Sequence, residues 1–215
     1  MIITYLGCEA FKIQFGETVL AINPPSKDSK HKVSRFGADI ALVSLNDKDM
    51  NGVDNVSHGE REPFAVVGPG EYEIKGVFIK GFKSFSSYGL PAGEKTPRIN
   101  TIYSVALEGM NLCFLGALDS KELPTEVKEA LDDIDVLFVP IGGDGVWQPA
   151  QAYELAVALE PKLIIPMHYD GAADKNLKNF LKEAGEEGIK PEEKLTLKKK
   201  DLEGKEGDVA VLLAQ

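Results

Sequence analysis

The chain has 215 residues, 43% of them apolar, enough for one well-buried core or two small ones, and no stretch approaches the roughly 18–20 apolar residues of a membrane span. Lys and Arg number 24 against 34 Asp and Glu, a formal charge of −10 with no basic stripe, so a nucleic-acid backbone is repelled rather than attracted. Only two cysteines are present, and Glu9, Lys12 and Gln14 interrupt any charged-then-apolar leader at Met1–Gly16, which together imply a reducing cytoplasm.

Apolar runs bounded by turns dominate the first half and predict strands over Ile2–Leu6, Ala10–Phe15, Thr18–Ile22, Ile40–Ser44, Phe64–Val67, Tyr72–Ile74 and Val77–Phe82. The Pro/Gly-rich segment Ser84–Arg98 reads as a long loop or a lid. Ile99–Leu107 and Asn111–Leu115 form a hairpin through Glu108-Gly109-Met110. Helical periodicity follows in Leu123, Val127, Ala130 and Leu131, in Ala152, Leu155, Ala156 and Leu159 after Pro149, and in Leu177, Phe180, Leu181 and Ala184. The first of these helices opens near Pro124, with Asp119 and Ser120 before Lys121 as capping-type residues. Buried-type strands Val136–Val139 and Leu163–Pro166 lie between the helices. Past Asp170 a helix in Lys175–Gly188 and strands at Lys194–Lys199 and Val209–Leu213 close the sheet, with Lys198–Asp208 as a solvated turn. A strand-rich half followed by alternating helix and strand fits several mixed α/β architectures.

Eight landmarks in register narrow that choice. They are Tyr5-Leu6-Gly7 before Ala10-Phe11, Ile22-Asn23-Pro24, Ala41-Leu42-Val43-Ser44, Gly68-Pro69-Gly70-Glu71-Tyr72-Glu73, Asn100-Thr101-Ile102-Tyr103, Leu115-Gly116, Pro140-Ile141-Gly142-Gly143 and Ile165-Pro166-Met167-His168-Tyr169. In this order the chain resembles the metallo-β-lactamase superfamily, and within it the small branch similar to ascorbate-phosphate lactonases and related metal-dependent hydrolases. The resemblance implies a four-layer αβ/βα sandwich formed by residues 1–215 as a single domain. It places the cleft at the sheet ends, where Ser44–Met50, Gly116–Asp119, Gly142–Val146 and His168 converge.

Carried over by residue, the resemblance implies a metal site largely stripped of ligands. The family pattern Ser/Thr-His-x-His-x-Asp-His falls on Ser44-Leu45-Asn46-Asp47-Lys48-Asp49-Met50, with Leu45, Asp47 and Met50 at the histidine positions and Asp49 retained. Ser86 stands where a further histidine follows the Val77–Lys83 strand. Ala117 replaces the bridging Asp, and Phe114 a histidine of this branch. The early Gly-His pair has become Gly7-Cys8, the supporting Asp has become Asn23, and His168 alone survives among the histidines. A catalytic zinc needs about three nitrogen, sulfur or oxygen ligands plus an open water position, which leucine, methionine and alanine cannot supply. Asp47, Asp49 and His168 remain as a set that could hold one hard or borderline cation, zinc or manganese.

Each candidate has a plainer role. Asp49 can be a turn acid bonded to backbone amides, and His168 a hydrogen-bonded cleft residue. His31 and His58 read as exposed loop histidines. Cys8 and Cys113 read as small buried hydrophobes, although Cys8 with His168 would make a nucleophile–base pair. Trp147 either stacks on a ligand at the mouth or packs against the helix start. Leu45, Met50, Ser86, Phe114, Ala117, Asp119 and Gly143 are the expected cleft lining.

Three functions follow. The first is a non-catalytic member that binds a small molecule or a protein, or is kept as an assembly subunit, with homo-oligomers compatible. The second is a hydrolase of phosphorylated sugar lactones or similar small esters, using a rebuilt mono-metal or metal-free site around Asp47, Asp49, Cys8 and His168. The third is plain structural association, expected if Leu45, Met50 and Phe114 fill the cleft. One scaffold hosts many functions, so the fold alone does not choose among them.

Overall fold

The computed structural model describes residues 1–120, 123 and 125–215, with residue 126 described by its backbone alone. The first sheet contains β1 (Ile2–Gly7), β2 (Ala10–Phe15), β3 (Thr18–Ile22), β4 (Ile40–Leu42), β5 (Phe64–Val66) and β12 (Leu195–Thr196), in the order β12-β1-β2-β3-β4-β5. Its β1–β3 meander is antiparallel, whereas β4 and β5 add in parallel. The second sheet contains β6 (Gly70–Ile74), β7 (Val77–Ser86), β8 (Arg98–Leu107), β9 (Met110–Phe114), β10 (Val136–Pro140), β11 (Leu163–Met167) and β13 (Asp208–Val209), in the order β13-β11-β10-β9-β8-β7-β6. It changes from antiparallel to parallel at β9–β10, after which helices carry the crossovers.

Sequence explains the change of style. β10 and β11 are buried along their whole length, as continuous apolar runs require when both faces are covered, whereas β7 alternates for much of its course. The β8–β9 turn at Glu108 and Gly109 has positive φ at both residues, the geometry of a tight two-residue hairpin, and Met110 already belongs to the strand. Helix α2 (Pro149–Ala158) starts on Pro149, and α3 (Lys175–Ala184) is capped by Asp174, whose side chain accepts from the amides of Asn176 and Leu177. Gly185 ends α3 in the left-handed conformation.

Between the sheets the main core stacks Phe114 on Phe138 at 3.9 Å between ring centroids, with Phe11 packed edge-on to Phe138 at 4.8 Å. Helix α2 lies against β10 of the second sheet, and α3 packs on α2. The outer layer of the first is thinner, formed where Phe36, Ala38, Val53 and Val56 cover Val19, Ala21 and Ala41, and Val53–Val56 is a 3₁₀ turn. Polar groups of β8 also join the sheets. The Tyr103 hydroxyl lies 2.9 Å from the Val43 carbonyl and 3.1 Å from that of Val66, and the Thr101 amide donates to Ser44 O at 2.8 Å. Leu45 bridges to Asn100, whose amide donates to Ser84 Oγ and Leu115 O and accepts from the Ala117 N–H.

Some expected boundaries shift. Ser84–Ser86 belong to β7 and Arg98 to β8, so the intervening loop is shorter than Ser84–Arg98. The Lys194–Lys199 strand contracts to Leu195–Thr196, and that near Val209–Leu213 to Asp208–Val209. Lys198–Asp208 is not a plain solvated turn: Lys199–Leu202 forms a 3₁₀ turn that buries Leu202, while Lys199 pairs with the buried Asp135. Helix α1 is Thr125–Ala130; Pro124 and Lys121, at its expected opening, lie outside the described residues. No helix among the described residues is long and apolar enough to cross a membrane.

Candidate functional site

The β1–β2 hairpin turns on Cys8 and Glu9, because Gly7 pairs with Ala10. Cys8 has φ 53° and His168, immediately after β11, has φ 68°; Asn23, after β3, has φ 45°. Left-handed backbone at non-glycine residues costs energy and collects at functional sites, and three strand ends adopt it around one cleft. Gly142 permits this packing, since a Cβ there would lie 2.4 Å from His168 Cδ2.

These ends build an acid–base cluster. His168 Nδ1 is 2.9 Å from Glu9 Oε1 and 3.9 Å from Cys8 Sγ, and the His168 amide donates to the Cys8 carbonyl. Glu9 is fully buried, and its second oxygen accepts from Asn23 Nδ2 at 3.2 Å. Asn23 also binds Ser44 through both side-chain atoms, so it acts as the joint between the hairpin and the 44–50 loop. Burial alone would raise the Cys8 thiol, but the imidazoles of His168 and His31 outweigh it and hold its pKa below the usual thiol value. Burial likewise disfavours charge on His168, yet Cys8 and Glu9 reverse the sign and push it up to about 10. Contact with Cys8 also raises His31, against the opposing effect of burial.

Asp49 faces the same cleft. It accepts from Ser29 Oγ at 2.6 Å and from the Tyr88 hydroxyl at 2.9 Å, and the Tyr88 ring stands edge-on to His168 at 5.0 Å between centroids. Burial would raise the Asp49 carboxyl, but those two hydrogen bonds and the charge on His31 leave it lowered. Outside this layer a pocket of about 490 Å³ opens between Lys30, Asp49, Tyr88, Leu90 and Asp144.

The remaining predicted residues are distributed unevenly. Leu45, Met50 and Ala117 are buried and cluster with Cys8 and Val146 against Tyr88. Phe114 is not in the cleft; its ring is stacked on Phe138 in the main core. Asp47 turns away to Arg98, at 2.7 Å, while Arg98 also binds the carbonyls of Asn46 and Tyr88. That guanidinium fastens the 44–50 loop to the loop after β7. Ser86 is buried and accepts from the Tyr88 amide, Asp119 accepts from the Ser87 amide, and the Gly143 amide donates to the Trp147 carbonyl. Trp147 is buried beside α2, with its indole N–H unpartnered among the described residues. Cys113 is the inert thiol, raised by burial alone in the apolar core. Among the described residues no group of three or more His, Cys, Asp or Glu is disposed to hold a metal ion.

Sequence reasoning missed Glu9, His31 and Tyr88. Glu9 follows the substituted Gly-Cys pair directly and could have been found as the orienting acid of a Cys–His pair. His31 is not the exposed loop residue expected; it is half-buried and interacts with Cys8. No local pattern marked Tyr88, which reaches Asp49 across 39 positions.

Two mixed sheets packed face to face, with a cleft at strand ends where His168 and Asp49 sit, define an α/β sandwich of hydrolase type. The chain belongs to the metallo-β-lactamase superfamily: the family described as "Beta-lactamase superfamily domain" matches residues 2–168. A Thermotoga maritima protein provisionally described as a zinc-dependent hydrolase of that superfamily is 28% identical, with TM-score 0.74 over 98% of this chain and 97% of its own. A metallo hydrolase from Ignicoccus hospitalis, 20% identical, shares the fold with TM-score 0.61 over 92% of this chain and 99% of its own. An isothiocyanate hydrolase from Delia radicum gut bacteria, 10% identical, shares it with TM-score 0.62 over 92% of this chain and all of its own.

Proposed function

We propose that this protein carries a degenerate centre in which the metallo-β-lactamase cleft binds a small molecule or a protein partner without metal-dependent hydrolysis. One observation carries the reading: Leu45, Met50 and Ala117, at family ligand positions, form a buried apolar cluster with Cys8 and Val146. A hydrolytic zinc requires about three donor ligands and an open water position, and this packing offers it neither. The resident residues do not fit a two-metal centre. The donors that remain are held apart by other partners, Asp47 by Arg98, Asp49 by Ser29 and Tyr88, and His168 by Glu9. That dispersal also weighs against a mono-metal hydrolase of sugar lactones or esters built on Asp47, Asp49 and His168.

The pocket beside Tyr88 is the address for a ligand, with mixed charge from Lys30, Asp49 and Asp144 around the apolar Leu90. The decisive experiment is metal content by mass spectrometry after incubation with zinc or manganese and dialysis, with His168→Ala alongside. The expected result is substoichiometric metal, equal in the two proteins. Stoichiometric metal lost in the variant would overturn the reading and restore the hydrolase.

A further inference from the structure

A second cavity, of about 870 Å³, opens between α1 and α2, and none of Cys8, Asp49 and His168 lines it. That volume is within the range of small-molecule sites. Gln151, Glu154, Leu155 and Ala158 recur at helical spacing, so one face of α2 forms a wall. The floor is apolar and buried, with Leu131, Trp147 and Leu155, whereas Asp119, Glu129, Asp132, Glu154 and Glu160 line the cavity against one ammonium among the described residues, Lys128. Trp147 adds what neither packing nor acidity explains. Its backbone amide donates to the Leu118 carbonyl and its carbonyl accepts from the Gly143 amide, but the ring is only 8% exposed and its indole N–H has no acceptor among the described residues. A buried donor without a partner costs stability, and here the ring that bears it is part of a cavity wall, where a ligand can bring the acceptor.

From these features we infer that the α1–α2 cavity binds a small organic amine with an apolar body and an oxygen acceptor, the chemistry of a short apolar peptide amide with a free amino end. Each part of such a ligand has a partner. The carboxylates attract the ammonium, and the low-dielectric floor focuses their field. Leu131 and Leu155 cover the apolar body, the Trp147 N–H takes the oxygen, and an ammonium over the indole ring gains further attraction. An anion is repelled by the same carboxylates, and a wholly apolar occupant leaves the indole N–H unpaired. A metal ion does not fit either: among the described residues no three acids are disposed to hold one, so the charge they serve belongs to an organic body.

Trp147 is the only tryptophan of the chain, so its fluorescence reads the cavity directly. The test titrates leucyl-leucinamide into the full chain, beside N-acetyl-leucyl-leucinamide, which keeps the body and the oxygens but lacks the ammonium. The amine should shift the emission saturably, and the acetylated probe should bind about tenfold more weakly, the scale of several surface charge contacts together. Glu129→Gln combined with Glu154→Gln, both exposed positions, should weaken the amine several-fold and leave the acetylated probe unchanged. Trp147→Phe keeps a ring but removes the donor, and calorimetry should show both probes weakened. No saturable shift with the amine would overturn the inference. Equal affinity for the two probes would also overturn it and leave a plain apolar groove. Unchanged binding in Trp147→Phe would overturn the part given to the oxygen acceptor. An emission shift with protein concentration alone would mark the cavity as covered by a second copy of the chain, which overturns the inference as well.

Discussion

Glu9→Gln removes the charge but keeps the shape of a fully buried carboxylate 2.9 Å from His168 Nδ1. Burial lowers the His168 pKa, and contacts with Cys8 and Glu9 more than reverse this, from 6.5 to about 10. At about 1.4 kcal/mol per pH unit that rise is worth about 5 kcal/mol, and an even division gives Glu9 about 2–3 kcal/mol, near the cost of breaking a buried pair. A raised folded-state pKa stabilises fully below the unfolded value of 6.5, and the contribution is lost as pH rises toward about 10. The lowered Cys8 pKa contributes with the opposite slope, so the comparison belongs in a Cys8→Ser background. Urea unfolding at about pH 6 should then show Glu9→Gln less stable by about 2–3 kcal/mol, and the gap should narrow as pH rises above the unfolded value of 6.5. His168 should also titrate at lower pH by NMR. A difference below about 1 kcal/mol at pH 6, or a gap that widens with pH, would refute the buried ion pair.

Leu45→Ala and Met50→Ala should each cost about 2–5 kcal/mol in urea unfolding, as for core residues that leave a cavity; losses below about 1 kcal/mol would mean that the cleft cluster is loosely packed. Arg98→Ala should speed hydrogen exchange in the 44–50 and 87–97 segments together, because one guanidinium holds both; acceleration confined to one segment would contradict the clamp. Asp135 is fully buried between Lys162 and Lys199. Burial would raise its pKa, but the two lysines leave it lowered, so its contribution is present above the usual carboxylate value and lost as pH falls through the folded one. Asp135→Asn should therefore cost about 3 kcal/mol at neutral pH, and the deficit should close on acidification below about pH 4. A deficit independent of pH would remove the ion pair from the explanation.

The strands were legible because their apolar runs alternate or stay continuous as sheet position demands, and β10 and β11 fell close to their expected spans. β7 ran longer than its hydrophobic signal, since Ser84 and Ser86 are buried polar residues that satisfy one another's neighbours, Asn100 and Tyr88, rather than solvent. The strand at Lys194–Lys199 was over-read for the reverse reason: Lys199 there serves Asp135, a partner distant in sequence. At the site, the order of landmarks placed Cys8, Asp49 and His168 in one cleft. It could not show that Phe114 points into the core, because strand parity at β9 depends on where the hairpin turns. His31 and Tyr88 come from irregular segments, where sequence carries no period to read.

The β8 polar groups that join the sheets have a mechanical meaning. The Tyr103 hydroxyl meets the carbonyls of Val43 and Val66, and the Thr101 amide meets that of Ser44, at fixed heights along the strand. A slip of one residue between the sheets would leave these buried groups facing hydrocarbon, at about 1–3 kcal/mol each. The sandwich is thus keyed against shear, and its two sheets should yield to force together rather than slide apart in turn.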